Sequence, residues 1–364
     1  MELITNIPLI LFSSQLPTLE FSDAGEEAVE VLVYCSQYEV LHTTVYPIGG
    51  RLFLYDLQDL FEECMREHDM VYGVMSIEIG NSTWEDYVIL YCPQIASKNA
   101  GDFISSHFLT TLRTKRVPGG TDSAASEMLS FLRTSAEDGQ SVTASLVGTF
   151  RTTDSSVITL ACQFALRSEY GVSTFGASPA GVLSDFSNHY DGDISYGWED
   201  LTVLSYTYSL GNRSLTFFVD AEFHPQLCFA FRNVFNVVEY AYLEGTTVTK
   251  SDTERSLATS HGVSMFYDQE DEQVFEVTTA PLSSEEADWI VQMLLSHKVQ
   301  KVCEGGVMAD ILITDIDAAI TDSDTEYRRI KFSYRMARQG AVLPEYETPS
   351  GGRRFTAHYS SQYT

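Results

Sequence analysis

Cys64 and His68 stand four residues apart in a helical stretch, which places a thiol and an imidazole on one face, as a metal pair needs. A tetrahedral site requires a second such pair, and none follows, so an ordinary helix surface is the expectation. Asp191, Asp193 and Asp200, in YDGDISYGWED, offer oxygens of the kind that calcium takes. Their spacing fails the EF-hand pattern. A polar loop is the simpler reading, and a calcium site stays open as the other. Asp310, Asp315, Asp317, Asp322 and Asp324 crowd the stretch around ILITDIDAAITDSD. Solvated turns account for them, or they face a partner's arginines. The eight histidines are isolated, and no GxSxG elbow, P-loop, GxGxxG or HExxH occurs. A glycosidase-type carboxylate pair, about 5–9.5 Å apart, is easy to imagine among 51 acidic residues and impossible to select. No enzyme activity, cofactor or resident metal is expected.

The elements that would position such groups are mainly strands. Val31, Val33 and Cys35 alternate with Leu32 and Tyr34, and EVLHTTVY follows, then a PIGG turn. Asp56 is placed to cap a helix over 56–68, with Leu57, Leu60, Phe61, Cys64 and Met65 on one stripe. VMSIEI and DYVILYC flank Gly80-Asn81, and VLSYTYSL and SLTFFVD flank Gly211-Asn212. Between them lie strands near 127–134, 141–150 and 157–166, with EDGQ as the turn joining the first two, and a short helix over 179–187. The order of strands, one helix and a Gly-Asn hairpin thus occurs twice, about 130 residues apart. Either the chain carries an internal duplication, or hairpin-built sheets simply look alike.

The last third is the most regular. Strands are expected at 263–267, 274–279 and 311–314. Ser283 with Glu286 makes a capping box for a helix over 284–298, with Ala287, Ile290, Val291 and Leu294 on its apolar stripe. Ile330, Phe332, Tyr334 and Met336 alternate with Arg329, Lys331, Ser333 and Arg335, a half-buried strand with a basic outer face. The fold class is therefore mainly β: multi-domain β-sandwiches, each with one covering helix. The expected units are 1–97, 98–220 and 221–340, followed by an extended tail, 341–364.

Composition narrows the partners. A 44% hydrophobic content with 20 Tyr and 21 Phe suits folded sheets. The net charge of -29 repels phosphates, so neither nucleic acid nor an anionic membrane is an expected partner. The charge is uneven. Arg51, Arg66 and Lys98 are the cations of the first hundred residues, whereas Arg328, Arg329, Lys331, Arg335, Arg338, Arg353 and Arg354 crowd the end. That split suits head-to-tail contact between copies, and a solvated basic face explains it equally well. The opening MELITNIPLILFSSQLP has an apolar run without a basic flank or cleavage site, so no export signal is expected. Six scattered cysteines without a CxxC pair read as reduced.

Several runs carry a family resemblance. They are FHPQLCFAFRNVFNVVEYAYLEGTTVTK, the stretch from there through VFEVTTAPLSSEEADWIVQMLLSHKV, and the closing ILITDIDAAITDSDTEYRRIKFSYRMA. With FSDAGEEAVEVLVYC and VYPIGGRLFLYDLQDL near the start, they resemble uncharacterised virion structural proteins of phages and prophages of gut Bacteroides-type bacteria. The third unit is similar to tail-tube and distal-tail β-sandwich domains. The resemblance implies a non-enzymatic subunit of a tail or tail tip. It implies a ring with other copies of itself, contact with other tail proteins, and a virion assembled in the host cytoplasm. The contact residues proposed from charge and from the tail are Arg329, Lys331, Arg335, Arg353, Arg354, Phe355 and Tyr359. A secreted or surface glycan-binding adhesin is the alternative.

Overall fold

A computed structural model describes residues 1–94, 98–119, 126–133, 141–167, 171–260, 263–303, 306–317 and 328–337; for Arg167 and for 252–272 it describes the backbone alone. Within these residues the protein is mainly β, built of several sheets with four α-helices. The first segment opens with β1 (Glu2–Leu3), β2 (Ile10–Phe12) and β3 (Leu19–Ser22). The hairpin β4 (Val29–Cys35) and β5 (Tyr38–Val45) follows, then β6 (Leu52–Leu54), α1 (Leu57–Glu67), β7 (Tyr72–Ile79) and β8 (Ser82–Leu90). One sheet has the order β2-β8-β7-β4-β5, with β2 parallel to β8; a smaller one has the order β1-β3-β6. Val31, Val33, Cys35, Met75, Ile77 and Ile79 bury one face of the larger sheet. Helix α1 covers it with Leu57, Phe61, Cys64 and Met65.

Two details of α1 differ from expectation. Asp56 does precede the helix, but it sits in the left-handed region at φ 57° and its side chain makes no capping bond. The chain turns there too sharply for the extended backbone that a capping aspartate uses. Leu60 is half-buried at the margin of the core, while Glu62 is buried in the helix face. Glu62 accepts hydrogen bonds from Ser13 Oγ (2.9 Å) and Gln58 Nε2 (3.0 Å), which satisfy a carboxylate out of water.

The second segment contains α2 (Ala100–Ser106), β9 (Thr114–Pro118), β10 (Met128–Arg133), β11 (Ser141–Arg151) and β12 (Val157–Arg167). It continues with β13 (Gly171–Gly176), α3 (Pro179–His189), β14 (Thr202–Leu210) and β15 (Arg213–Asp220). The large sheet runs β12-β11-β14-β15-β9, with β9 parallel to β15, and β10 pairs with β13. This corrects the expected hairpin of the first two strands. β10 crosses to a separate two-stranded sheet, and β11 pairs with β12 and β14. The EDGQ stretch itself lies outside the described residues.

Apart from β1 and α2, the second segment repeats the topology of the first. In each, a leading strand runs parallel to the last, a hairpin is followed by a helix, and a second hairpin closes the sheet. In each, the strand before the first hairpin pairs with the strand after it, β3 with β6 and β10 with β13. Both closing hairpins turn on two residues, and Gly80 and Gly211 each have φ +59°. Glycine at the first central position with positive φ matches the twist of the flanking strands. Helix α3 lies close on its sheet at Gly148, where an added Cβ would come within 2.7 Å of Phe186. The YDGDISYGWED loop falls between α3 and β14, where the first segment has a shorter link from α1 to β7.

The third segment has β16 (Leu227–Arg232), β17 (Val238–Leu243), β18 (Gly245–Ser260), β19 (Val263–Thr279), α4 (Ser284–Leu294), β20 (Val299–Val302), β21 (Met308–Asp317) and β22 (Lys331–Met336). Its sheet order is β17-β16-β20-β21-β22-β19-β18. The first four strands with α4 repeat the arrangement of β5-β4-β7-β8 with α1. The capping box forms: Ser283 Oγ accepts from the Glu286 amide at 3.3 Å, and Glu286 Oε2 accepts from the Ser283 amide at 3.0 Å. The helix stops at Leu294, short of the expected 298, so His297 and Lys298 belong to the link into β20. Ala287, Trp289, Ile290, Met293 and Leu294 are buried, and Val291 is half-buried. The two strands expected at 263–267 and 274–279 are one continuous strand, paired along its length with β18.

Three segments meet in shared packing. Phe12, Val88 and Leu90 pack with Ala100, Ile104 and Leu132 and with Phe235 and Val237. A second apolar cluster runs from Phe217 and Tyr206 to Phe229, Phe231 and Trp289. Asn236, fully buried at φ 59°, donates from Nδ2 to the carbonyls of Met65 (3.1 Å) and Met70 (2.8 Å), at and beyond the end of α1. Asp69 accepts from Lys298 Nζ at 2.9 Å and lies 3.4 Å from Arg232 Nη2. Asn236→Ala is expected to cost about 2–3 kcal/mol, from two buried hydrogen bonds and a left-handed backbone that alanine resists. Chemical denaturation checks it; an unchanged midpoint would remove Asn236 as a fastener.

Mild acid should loosen the same junction. His297 keeps an exposed edge but packs edge-on against Tyr91 at 6.4 Å, and the partial desolvation there, with Arg66 adding to it, pulls its pKa below the usual value. His107 is likewise lowered, by burial first and Arg113 next. Below the ordinary histidine range the unfolded chain takes up protons that these folded imidazoles resist. Stability is then full above about pH 6.5 and falls as the pH drops toward the folded values. Melting temperature followed from pH 7.5 to 5 should decline, and less steeply in a His107→Gln/His297→Gln variant. Equal slopes would contradict this.

Candidate interaction surface

Five of the thiols, those of Cys35, Cys64, Cys92, Cys162 and Cys228, are poor nucleophiles where the structure puts them. All six cysteines are free, and Cys35, Cys64, Cys92 and Cys162 are buried. Burial pushes Cys92 and Cys162 up to about 11 and Cys228 up to about 12, so the thiolate is scarce at neutral pH. Cys64 contacts the Cys35 thiol, and His68 stacks flat on Tyr38 at 3.7 Å. The Cys64/His68 pair is thus used in packing. Asp191 and Asp193 are exposed, and Asp200 Oδ2 accepts from the Gly197 amide at 3.3 Å. Among the described residues no three His, Cys, Asp or Glu side chains converge as a metal group would need. Among the described residues no helix is long and apolar enough to cross a membrane.

A charged network that the sequence did not single out is buried between the second and third segments. Lys115 on β9 donates to both oxygens of Glu127, at 2.7 and 2.8 Å, and to the Tyr240 carbonyl at 2.7 Å. Its ammonium also lies 5.2 Å from the centre of the Trp289 ring. Trp289 Nε1 donates to Glu239 at 2.6 Å, and Asn233 Nδ2 donates to the other Glu239 oxygen at 2.8 Å. Burial raises the Glu127 pKa, and the charge of Lys115 works against that rise. Every proton of the ammonium has an acceptor, which marks a structural clamp.

Surface charge gathers on the outer face of the third sheet. Phe332 and Tyr334 are buried, so Lys331, Ser333 and Arg335 point away from the core. The strand that carries them is central. Lys331 is opposite Asp317 on one side and Thr278 on the other, and Ser333 is opposite Asp315 and Glu276. Arg335 is opposite Leu312. The basic residues are therefore interleaved with the chain's own carboxylates, and Glu276 also pairs with Lys250. Asp310 accepts from Gln300 Nε2 at 2.8 Å. Arg329 is exposed, whereas Arg328 is buried and bonds Asp288 at 3.2 Å. Arg353, Arg354, Phe355 and Tyr359 lie outside the described residues, as do Asp322, Asp324 and Arg338.

Beside this face the hairpin β18–β19 leaves the sheet. β19 pairs with β22 only from Phe275 to Thr278, while β18 and β19 stay paired out to Ser260 and Val263. The outer ten or so residues of each strand form a two-stranded ribbon that projects roughly 33 Å at about 3.3 Å per residue. Asp252, Glu254, Asp268, Glu270, Asp271 and Glu272 lie in it against one cation, Arg255.

No family model matches the chain, and no curated protein matches it. Over 31% of its length it is similar to a chain of the virion of a native gene transfer agent particle, at 14% identity and a TM-score of 0.21, spanning 91% of that chain. A chain from the tail of an empty gene transfer agent particle of C6 symmetry is similar over 31% of this chain and 91% of its own, at 14% identity and a TM-score of 0.23. Similarity at that level does not establish a shared fold.

Proposed function

We propose that the chain is a non-enzymatic structural subunit of a phage-type virion, placed in the tail or tail tip and working as a ring of identical copies. The observation that carries this reading is the ribbon β18–β19. A two-stranded ribbon in water is marginal by itself, and among the described residues no further strand pairs with its outer part. A protein keeps such an element where a neighbouring surface receives it. The ribbon is acidic, and the face from which it springs carries Arg329, Lys331 and Arg335. Ribbon to basic face between copies is a heterologous contact, which closes into rings. Arg353 and Arg354 add to the basic side, with Phe355 and Tyr359 as apolar anchors. Exposed ion pairs contribute only about 0–1 kcal/mol each, so apolar burial must supply most of the affinity.

Negative-stain microscopy and sedimentation velocity over a range of concentrations test this directly. Rings or stacked discs are expected, weakened more by deletion of 341–364 than by 0.5 M salt. A monomer that persists at high concentration would overturn the ring.

A further inference from the structure

Among the described residues Arg213 is a cation without a partner anion. It is the first residue of β15, set by the Gly211-Asn212 turn and opposite Leu210. Ser82 holds the same position after the Gly80-Asn81 turn, so the repeated turn does not need a charge there. The half-buried Arg213 guanidinium lies 5.7 Å from the centre of the Phe131 ring, and its Nη2 reaches the Leu132 carbonyl at a long 3.4 Å. Its Nε is buried and has no hydrogen-bond partner. Other arginines here are answered by carboxylates: Arg51 by Glu20, Arg116 by Asp220, Arg232 by Asp69 and Arg328 by Asp288. Burial lowers the Arg213 pKa, the sign of a charge held out of water without compensation.

The group lines a cleft of about 480 Å³ between α2, β10 and the near ends of β11 and β14. Ile104, Val142 and Leu210 supply apolar wall, Ser105 and Thr143 line it with hydroxyl-bearing side chains, and Arg133 is a second cation at its wall. Among the described residues no Asp or Glu lines it. In a chain of net charge -29, a guanidinium unanswered by any described carboxylate costs folding stability, and such a cost is kept where it serves a use.

We propose that this cleft binds a carboxylate carried on an apolar body, with Arg213 as its anchor. The guanidinium fork matches a carboxylate in two parallel hydrogen bonds, and the walls take the body. The carboxylate comes from a free small acid or from an acidic side chain of a neighbouring copy.

Phenylacetate is the probe, with phenylacetamide and phenethylamine as neutral and cationic counterparts of similar shape. Calorimetric titration of the full chain should show phenylacetate binding, with neither counterpart binding. Arg213→Gln should weaken it about tenfold or more, the loss of charge-assisted hydrogen bonds, and Arg213→Lys should fall between. Without ligand, Arg213→Gln should melt at the wild-type temperature or above, since it removes an uncompensated charge. A merely structural arginine would lower it. Binding of the amide as tightly as the acid, no binding of phenylacetate, or unaltered binding in Arg213→Gln would each overturn the site; the ligand comparison stands even if a variant fails to fold. Sedimentation with saturating phenylacetate separates the two sources. Reduced self-association assigns the carboxylate to a neighbouring copy, unchanged behaviour assigns it to a free acid, and either supports the site. Titration reads the monomer, so failure of the ring leaves this test intact.

Discussion

Lys115→Met is expected to destabilise the protein by about 3–5 kcal/mol, the cost of leaving one partner of a buried ion pair alone. Lys115 and Glu127 are 6% and 4% exposed, so neither charge reaches solvent. Methionine preserves the stem and removes three donors. Glu127 then has no cation, and its pKa, already raised by burial, must rise further. The sign of the pH dependence follows. A carboxyl whose folded pKa lies above its unfolded value favours folding while it is protonated and opposes it once the pH exceeds the unfolded value near 4.3. The penalty in Lys115→Met should therefore grow from pH 5 to pH 8. Lys115→Met/Glu127→Leu should recover most of the loss, because replacing both partners removes the desolvation cost of both. Urea denaturation of the wild type and the two variants at the two pH values decides it. A double variant no better than the single one would show that the pair is not the unit of stability.

How much of this was legible beforehand depended on how local the signal was. The Ser283–Glu286 box forms because both partners lie within one helical turn. The Gly-Asn turns form because two residues set their geometry. The alternation of Phe332 and Tyr334 with Lys331 and Ser333 marks a strand with one buried face wherever its neighbours lie. The expected pairing of the strand near 127–134 with its sequence neighbour failed for the opposite reason. Its partner, β13, starts at Gly171, and no periodicity encodes a pairing at that separation. Lys115, Glu127 and Glu239 are equally scattered, so three ordinary charged residues gave no hint of a buried clamp. Arg213 was hidden in an ordinary hairpin, since what distinguishes it is the absence of an acid nearby in space. Of the ribbon, β19 was expected in two pieces from its alternation, whereas β18 was missed because Thr and Ser dominate it.

That ribbon carries the other large expected effect. Replacing 253–271 by a two-residue Asn-Gly turn should leave the folded subunit intact and remove its self-association. The cut falls beyond Phe275–Thr278, where β19 joins β22. The shortened hairpin keeps its register against the sheet, because Ser251 and Gln273 remain directly opposite each other above Lys250 and Val274. The melting temperature should therefore move little. Assembly should weaken by about 3 kcal/mol or more, two decades in Kd, if the ribbon is the element a neighbour receives. A charge-reversed variant, Glu270→Lys/Glu272→Lys, isolates the electrostatic share. It should slow association and reduce its salt sensitivity while costing far less affinity than the truncation, since exposed charge mainly steers encounter. Two outcomes count against the arrangement. Assembly of the truncated chain at wild-type concentration would mean that copies meet through another surface. A truncated chain that melts many degrees lower would mean that the ribbon folds back on its own subunit and serves the fold.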